Sequence, residues 1–216
     1  MNQIKIKVCG MRDPGNIRRL AELKPDLLGL VFYPHSPRYA GASPADGMFD
    51  SFPHGILKTG VFVDEDLKNI NEHVLNFGLQ AVQLHGNESP EMCIQLKSTG
   101  VKVIKAFSID DTIDFSKMTP YISGCDWFLF DTFSKIPGGS GKRFNWNVLE
   151  KYDLVQPFFL SGGIGPEDAE RILKLNHTEL AGVDINSRFE TRPGLKDIEQ
   201  VGQFILKIRS NQFINY

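Results

Sequence analysis

The sequence predicts an α/β protein folded as a single (β/α)8 barrel over residues 1–216. Three observations carry that prediction. Short runs of β-branched or aromatic residues alternate with stretches of helical spacing, and strict alternation of this kind builds a parallel sheet. The runs begin about every 25 residues, which yields eight units in one chain. Several runs are almost wholly apolar, as strands buried on both faces must be. An open doubly wound sheet also accommodates six or more parallel units, but eight without a visible linker favour closure.

Taken in order, the strands are read at residues 4–8, 27–32, 57–63, 79–84, 101–107, 127–131, 158–161 and 181–185. Helices with apolar spacing and start signals lie at 13–23, 64–77, 89–99, 145–152, 166–175 and 195–208. Residues 43–52 and 110–123 read as short or broken helices. No low-complexity stretch and no domain boundary interrupts the series.

A formal net charge of −2 and a pI near 6.2 give no general attraction for nucleic acid or an anionic membrane, so any anion affinity must be local. Cys9, Cys93 and Cys125 are odd in number and widely spaced. They fit neither a disulfide framework nor a zinc site, and read as reduced thiols of a cytoplasmic protein. The polar start "MNQIKIKVCGM" is no signal peptide, and no apolar run reaches the length of a membrane span.

In a barrel of this kind the active site gathers at the C-terminal ends of the strands. Strand one, "IKIKVCGMRD", ends at Cys9-Gly10. Side chains alternate along a strand, so Ile4, Ile6 and Val8 suit the helix layer, and Lys7 and Cys9 point into the barrel. A lone cysteine is ordinarily a small buried hydrophobe. A lysine on the same face would favour the reactive thiolate, and Lys7 is read as that tuning cation.

Further strand ends supply further candidates. Arg38, in the stiff loop "YPHSPRYA", is either a solvated charge or a bidentate clamp for a carboxylate. His85, closing "VQLHG", lines the site as an acid, a base or a polar core residue. Asp131 ends the mainly apolar row Trp127, Leu129, Asp131, where a carboxylate is either structurally paired or catalytic. The long "FSKIPGGSGKRFNW" loop could cover a site but lacks the spacing of a nucleotide-binding loop.

The sharpest signal comes from strands seven and eight. "LSGGIGPED" joins a strand to a helix through Gly162 and Gly163, and "GVDINSRFE" adds Ser187 and Arg188 as donors. Glycines let the backbone approach an anion, a helix start offers N–H groups, and phosphate binds between these two loops in many barrels.

Together these segments resemble the phosphoribosylanthranilate isomerase family of tryptophan biosynthesis. The resemblance runs in order through "KVCGMR", "GLVFYPHSPRYA", "KTGVFVDE", "VQLHGNE", "VIKAF", "LFDT", "GGSGKRFNW", "LSGGIGPED", "GVDINSRFE" and "RPGLKD". It implies a cofactor-independent Amadori rearrangement of a phosphosugar. Cys9 is then the general base and Asp131 the general acid, Arg38 holds the anthranilate carboxylate, and Asp184 lies near the sugar hydroxyls. Gly162, Gly163 and Ser187 take the phosphate. No metal, nucleic acid or membrane partner is expected, and the expected state is a monomer.

The chain departs from the family pattern in three places. Arg188 stands where glycine is usual, "FDW" becomes Phe144-Asn145-Trp146, and "HGDE" becomes "HGNE". Only Arg188 falls in the phosphate loop, where it questions the backbone conformation or adds a charged donor. Two other readings remain: another phosphosugar isomerase or indole-glycerol-phosphate synthase on the same fold, and a phosphate-ligand binding protein without catalysis. Cys9 together with Asp131 argues against both.

Overall fold

The computed structural model describes residues 3–46, 48–49, 52–132 and 144–210. Eight parallel strands close into a barrel in sequence order: β1 (Lys5–Val8), β2 (Leu27–Val31), β3 (Leu57–Phe62), β4 (Ala81–Leu84), β5 (Lys102–Ile109), β6 (Trp127–Thr132), β7 (Phe158–Leu160) and β8 (Leu180–Ile185). β1 pairs with both β2 and β8, which excludes the open sheet.

The alternation read from β1 organises two cores. Ile6 and Val8 join Leu28, Leu30, Val82, Phe128 and Phe158 in the layer between barrel and helices. Leu27, Ile104, Ala106, Leu129 and Phe159 form a separate, smaller cluster that fills the barrel interior. Burying such side chains contributes about 1.5–3 kcal/mol each, so a one-residue slip in any strand would exchange the two sets at prohibitive cost.

Three helices open on side-chain caps, the first and third where the sequence predicts and the second three residues later than the predicted start at 64. Asp13 caps α1 (Pro14–Glu22), accepting from the Asn16 N–H at 2.7 Å. Asp66 caps α2 (Leu67–Phe77) in the same way, and Ser89 caps α3 (Pro90–Ser98). Each side chain satisfies a backbone donor that the helix leaves open.

The later connections are tighter than their pattern suggests. Residues 115–124 and 146–151 are 3-10 turns, the first holding Pro120, which cannot donate to a regular α-helix. The seventh connection divides into a 3-10 turn, Pro166–Asp168, and the short α4 (Ala169–Leu173). The described part of 43–52 consists of turns and bends. Residues 195–208 do not begin as a helix. After β8 the chain makes a small antiparallel ribbon, β9 (Glu190–Arg192) with β10 (Leu195–Lys196), before α5 (Ile198–Ser210). Of the glycine-rich stretch after β6, residues 133–143 lie outside the described residues. Among the described residues no helix is long and apolar enough to cross a membrane.

Candidate active site

The ends of β1 and β8 meet first. Lys7 lies opposite Asp184 in the strand register, and its ammonium donates to Asp184 Oδ1 at 2.9 Å with both side chains buried. Removing either partner would leave the other charged and enclosed, at a cost of about 3–5 kcal/mol. Cys9 follows at the mouth of the barrel, 4% exposed. Beside it stands Gly29 of β2, where a Cβ would come within 2.8 Å of the Cys9 sulfur. Glycine there makes room for the thiol.

Electrostatics around the thiol oppose one another. Burial pushes Cys9 above the ordinary thiol value; Lys7 and Lys196 pull it down, and Asp184 pushes it up. The balance lies on the upper side. Lys7 pulls in the direction expected of a tuning cation, through its charge and a hydrogen bond, but burial outweighs it. Lys7 is also engaged by Asp184, whose carboxylate offsets much of its field. Burial acts against the Lys7 charge, yet Asp184 and Cys9 outweigh it and raise its pKa; burial also raises that of Asp184, against the pull of Lys7.

Asp131 ends β6 half-buried. Its Oδ1 accepts from the Thr132 N–H at 2.8 Å, and Oδ2 lies 3.3 Å from His85 Nε2. His85 Nδ1 is 2.7 Å from Gln83 Nε2. With the Gln83 amide assigned that way round, Nδ1 accepts, and the neutral ring carries its proton on Nε2, facing Asp131. Burial raises the Asp184 pKa and Lys7 pulls it down, with smaller influences from Asp131, which raises it, and His85, which lowers it. Asp131 with His85, and Asp184 with Lys7, are thus two contacting pairs that act on one another through charge, with Cys9 beside the second.

Gly162 completes this side. Its φ is +85° and that of Gly163 is +68°, a left-handed conformation that glycine adopts without strain. A Cβ on Gly162 would also lie 3.0 Å from Asp131 Oδ1, so the predicted phosphate turn abuts the predicted acid. Beyond it, the Gly165 N–H is capped by Asp168 at 2.7 Å.

Arg38 is buried but not unpaired. Its Nε and Nη2 grip Glu190 at 3.0, 3.1 and 2.7 Å, leaving Nη1 outside that fork. Glu190 also accepts from Lys196 at 2.6 Å, and Lys196 donates to Asn186 Oδ1 at 2.8 Å. Burial raises the Glu190 pKa, but hydrogen bonds and charge from Arg38 and Lys196 outweigh it and hold the carboxyl low. Sequence reasoning singled out none of Glu190, Lys196 or Asn186. Their one signal was the Pro193-Gly194 turn, which brings Lys196 opposite Glu190 in the ribbon.

Ser187 and Arg188 sit in a 3-10 turn after β8. Among the described non-glycine residues only Lys24 and Asp64 have positive φ, so arginine at 188 strains nothing. Its guanidinium donates to Glu167 at 2.6 Å, both side chains being well exposed. An exposed pair of this kind contributes only about 0–1 kcal/mol, little enough for a phosphate to displace. Arg188→Ala is therefore expected to raise KM by about two- to fivefold, well short of a buried charged contact. Steady-state kinetics with inorganic phosphate as inhibitor checks this, and an unchanged KM would leave phosphate to the other donors.

The model of the N-(5'-phosphoribosyl)anthranilate (PRA) isomerase family matches residues 6–207. The chain belongs to that family. A relative from Phocaeicola vulgatus, N-(5'-phosphoribosyl)anthranilate isomerase, is 45% identical over 94% of this chain and 97% of its own. The phosphoribosylanthranilate isomerase of Thermotoga maritima superposes with a TM-score of 0.85 at 31% identity, covering 96% of this chain and 99% of that one. A further phosphoribosylanthranilate isomerase structure, at a TM-score of 0.82, 29% identity and coverage of 96% and 99%, holds reduced 1-(o-carboxyphenylamino)-1-deoxyribulose 5-phosphate. As a phosphoribosylanthranilate isomerase family member the chain is an isomerase of tryptophan biosynthesis.

Proposed function

We propose that the chain converts N-(5'-phosphoribosyl)anthranilate to 1-(2-carboxyphenylamino)-1-deoxyribulose 5-phosphate, with Asp131 as general acid and Cys9 as general base. The observation that carries this reading is the His85–Asp131 contact at the barrel mouth, with the Gly162 turn against Asp131 and the Lys7–Asp184 pair within its electrostatic reach.

Asp131, carrying a proton, gives it to the furanose ring oxygen. The C1'–O bond breaks and the anthranilate nitrogen supplies its lone pair, leaving an iminium ion at C1'. That cation acidifies the C2' proton, which Cys9 removes, and the electrons return to nitrogen as an enolamine. Loss of the enol proton and gain of one at C1' complete the ketone. C1' is reduced as C2' is oxidised, so the hydrogen balance closes within the substrate.

Acid and base must coexist at one pH, which requires different surroundings for the two groups. Asp131 is half-exposed and hydrogen-bonded; Cys9 is enclosed among buried charges. His85 steadies the acid, and Asp184, fixed by Lys7, faces the sugar hydroxyls. The Arg38 guanidinium holds the anthranilate carboxylate through Nη1, while the Gly162–Gly163 turn, Ser187 and Arg188 take the phosphate. Three unpaired, buried thiols support a reducing cytoplasm. Among the described residues the exposed large apolar side chains, Leu75, Ile94, Val155 and Leu206, stand on four separate segments, which supports a monomer.

Freshly made phosphoribosylanthranilate should lose its anthranilate fluorescence in proportion to added protein, with the ribulose phosphate accumulating. Fluorescence loss no faster than spontaneous decay would overturn the assignment.

A further inference from the structure

Five charged groups surround Cys9, on β1, on the loop after β2, on β8 and on the β9–β10 ribbon. Lys7 and Asp184 form a closed pair at 2.9 Å. Arg38, Glu190 and Lys196 form a triad in which two cations share one carboxylate. Asp131 and His85, further round the mouth, reach the pair through Asp184. The pair is neutral as a unit. The triad carries one positive charge over, and the Lys196 side chain within it is 0% exposed. An enclosed surplus charge is costly unless an anion compensates it.

Position brings Cys9 nearest to that role. A Cβ on Gly10, the residue after Cys9, would meet Arg38 Cδ and Asn186 Oδ1, each at 2.6 Å, and Asn186 Oδ1 accepts from Lys196 Nζ at 2.8 Å. The Cys9 N–H meanwhile donates to Ile185 O, one residue before Asn186, at 2.9 Å. The ammonium thus stands one hydrogen bond behind the backbone at Cys9-Gly10.

We propose that Lys196, held by Glu190 and Asn186, is the positioning residue whose uncancelled charge supports the thiolate of Cys9. The proposal rests on reading Cys9 as the general base. It gives the ribbon a share in a role that Lys7 fills only in part, because Lys7 is also answered by Asp184. Burial pulls the Lys196 pKa down, and Cys9 is among the groups pushing it back up, the reciprocal of its own pull on the thiol. Substrate would bring its own carboxylate to Arg38, so the surplus is greatest in the free protein, the form that kcat/KM reports.

The test is a thiolate absorbance titration of the full chain, with the Cys9→Ala protein subtracted so that only Cys9 is read. Lys196→Met should move the Cys9 midpoint up by about one pH unit or more, while Lys196→Arg leaves it close to the parent. The ribbon should survive the change. Glu190 keeps its fork from Arg38, and Asn16 holds the Lys196 backbone at 2.9 and 2.8 Å whatever the side chain. A purely structural lysine would lower activity without moving the midpoint, and that result overturns the proposal. In the unmodified protein, the Lys196 Nζ resonance should shift at the pH where Cys9 ionises, and its indifference would overturn the proposal equally. The acid limb of kcat/KM is read separately. If the thiol midpoint moves and the limb does not, Lys196 keeps its role and Cys9 loses that of base.

Discussion

Cys9→Ala should lower kcat by about 10²–10⁴, the contribution of a positioned base, while the fold and KM stay close to the parent. The change removes one buried sulfur from the space that Gly29 leaves for it, and the Lys7–Asp184 pair is untouched. Circular dichroism and thermal melting should therefore barely register it. Cys9→Ser separates shape from acidity, because a hydroxyl fills the site yet ionises far less readily. It should be nearly as inactive as alanine. An alanine variant retaining more than about a tenth of parental kcat would remove Cys9 from the base role, since a working base contributes at least about a hundredfold.

Asp131→Asn should be as damaging, about 10²–10⁴ in kcat, because an amide cannot deliver the proton that opens the furanose. Its oxygen can still accept from the Thr132 N–H, as Asp131 Oδ1 does at 2.8 Å, so the side chain should keep its place. A loss confined to the chemical step lowers kcat and kcat/KM together. Should KM rise steeply with kcat preserved, Asp131 would be a binding group instead. The two variants also differ in an informative way. Ring opening precedes proton abstraction, so Cys9→Ala should still bind substrate and reach the iminium stage, whereas Asp131→Asn should bind it unopened.

What the sequence disclosed depended on the range of the interaction. Strands were legible because alternation is local: Ile6 and Val8 against Lys7 and Cys9 already separates the two cores. The caps at Asp13 and Ser89 were legible for the same reason. The β9–β10 ribbon was not, since strands of three and two residues are too short to show a period. Arg38 was read as either a solvated charge or a carboxylate clamp; its partner in the structure, Glu190, lies 152 positions away, and nothing local announces that pairing. Lys7 could be seen beside Cys9, whereas Asp184, which offsets it, could be placed there only by the closed barrel. The left-handed turn at Gly162 and Gly163 showed itself through its glycines. The engagement of Arg188 by Glu167 is a matter of side-chain direction, which spacing does not encode.

The β1–β8 pairing also sets a timetable. Lys7 meets Asp184 across 177 positions of chain, so a ribosome adding about 5–20 residues per second leaves the lysine without its partner for about 10–35 s. Until then the nascent chain is an open sheet with two raw edges, one of them charged on its inner face. Pairing over such a separation is slow even once both strands exist. Chemistry therefore arrives last: the thiol is made at the beginning, and every charge that governs it except Lys7 and Arg38 is supplied by the final quarter of the polypeptide. A chain stopped short of β8 would carry Cys9 and the Gly162–Gly163 turn but lack Asp184, Glu190 and Lys196, the charges that the closed barrel and its ribbon bring to the thiol.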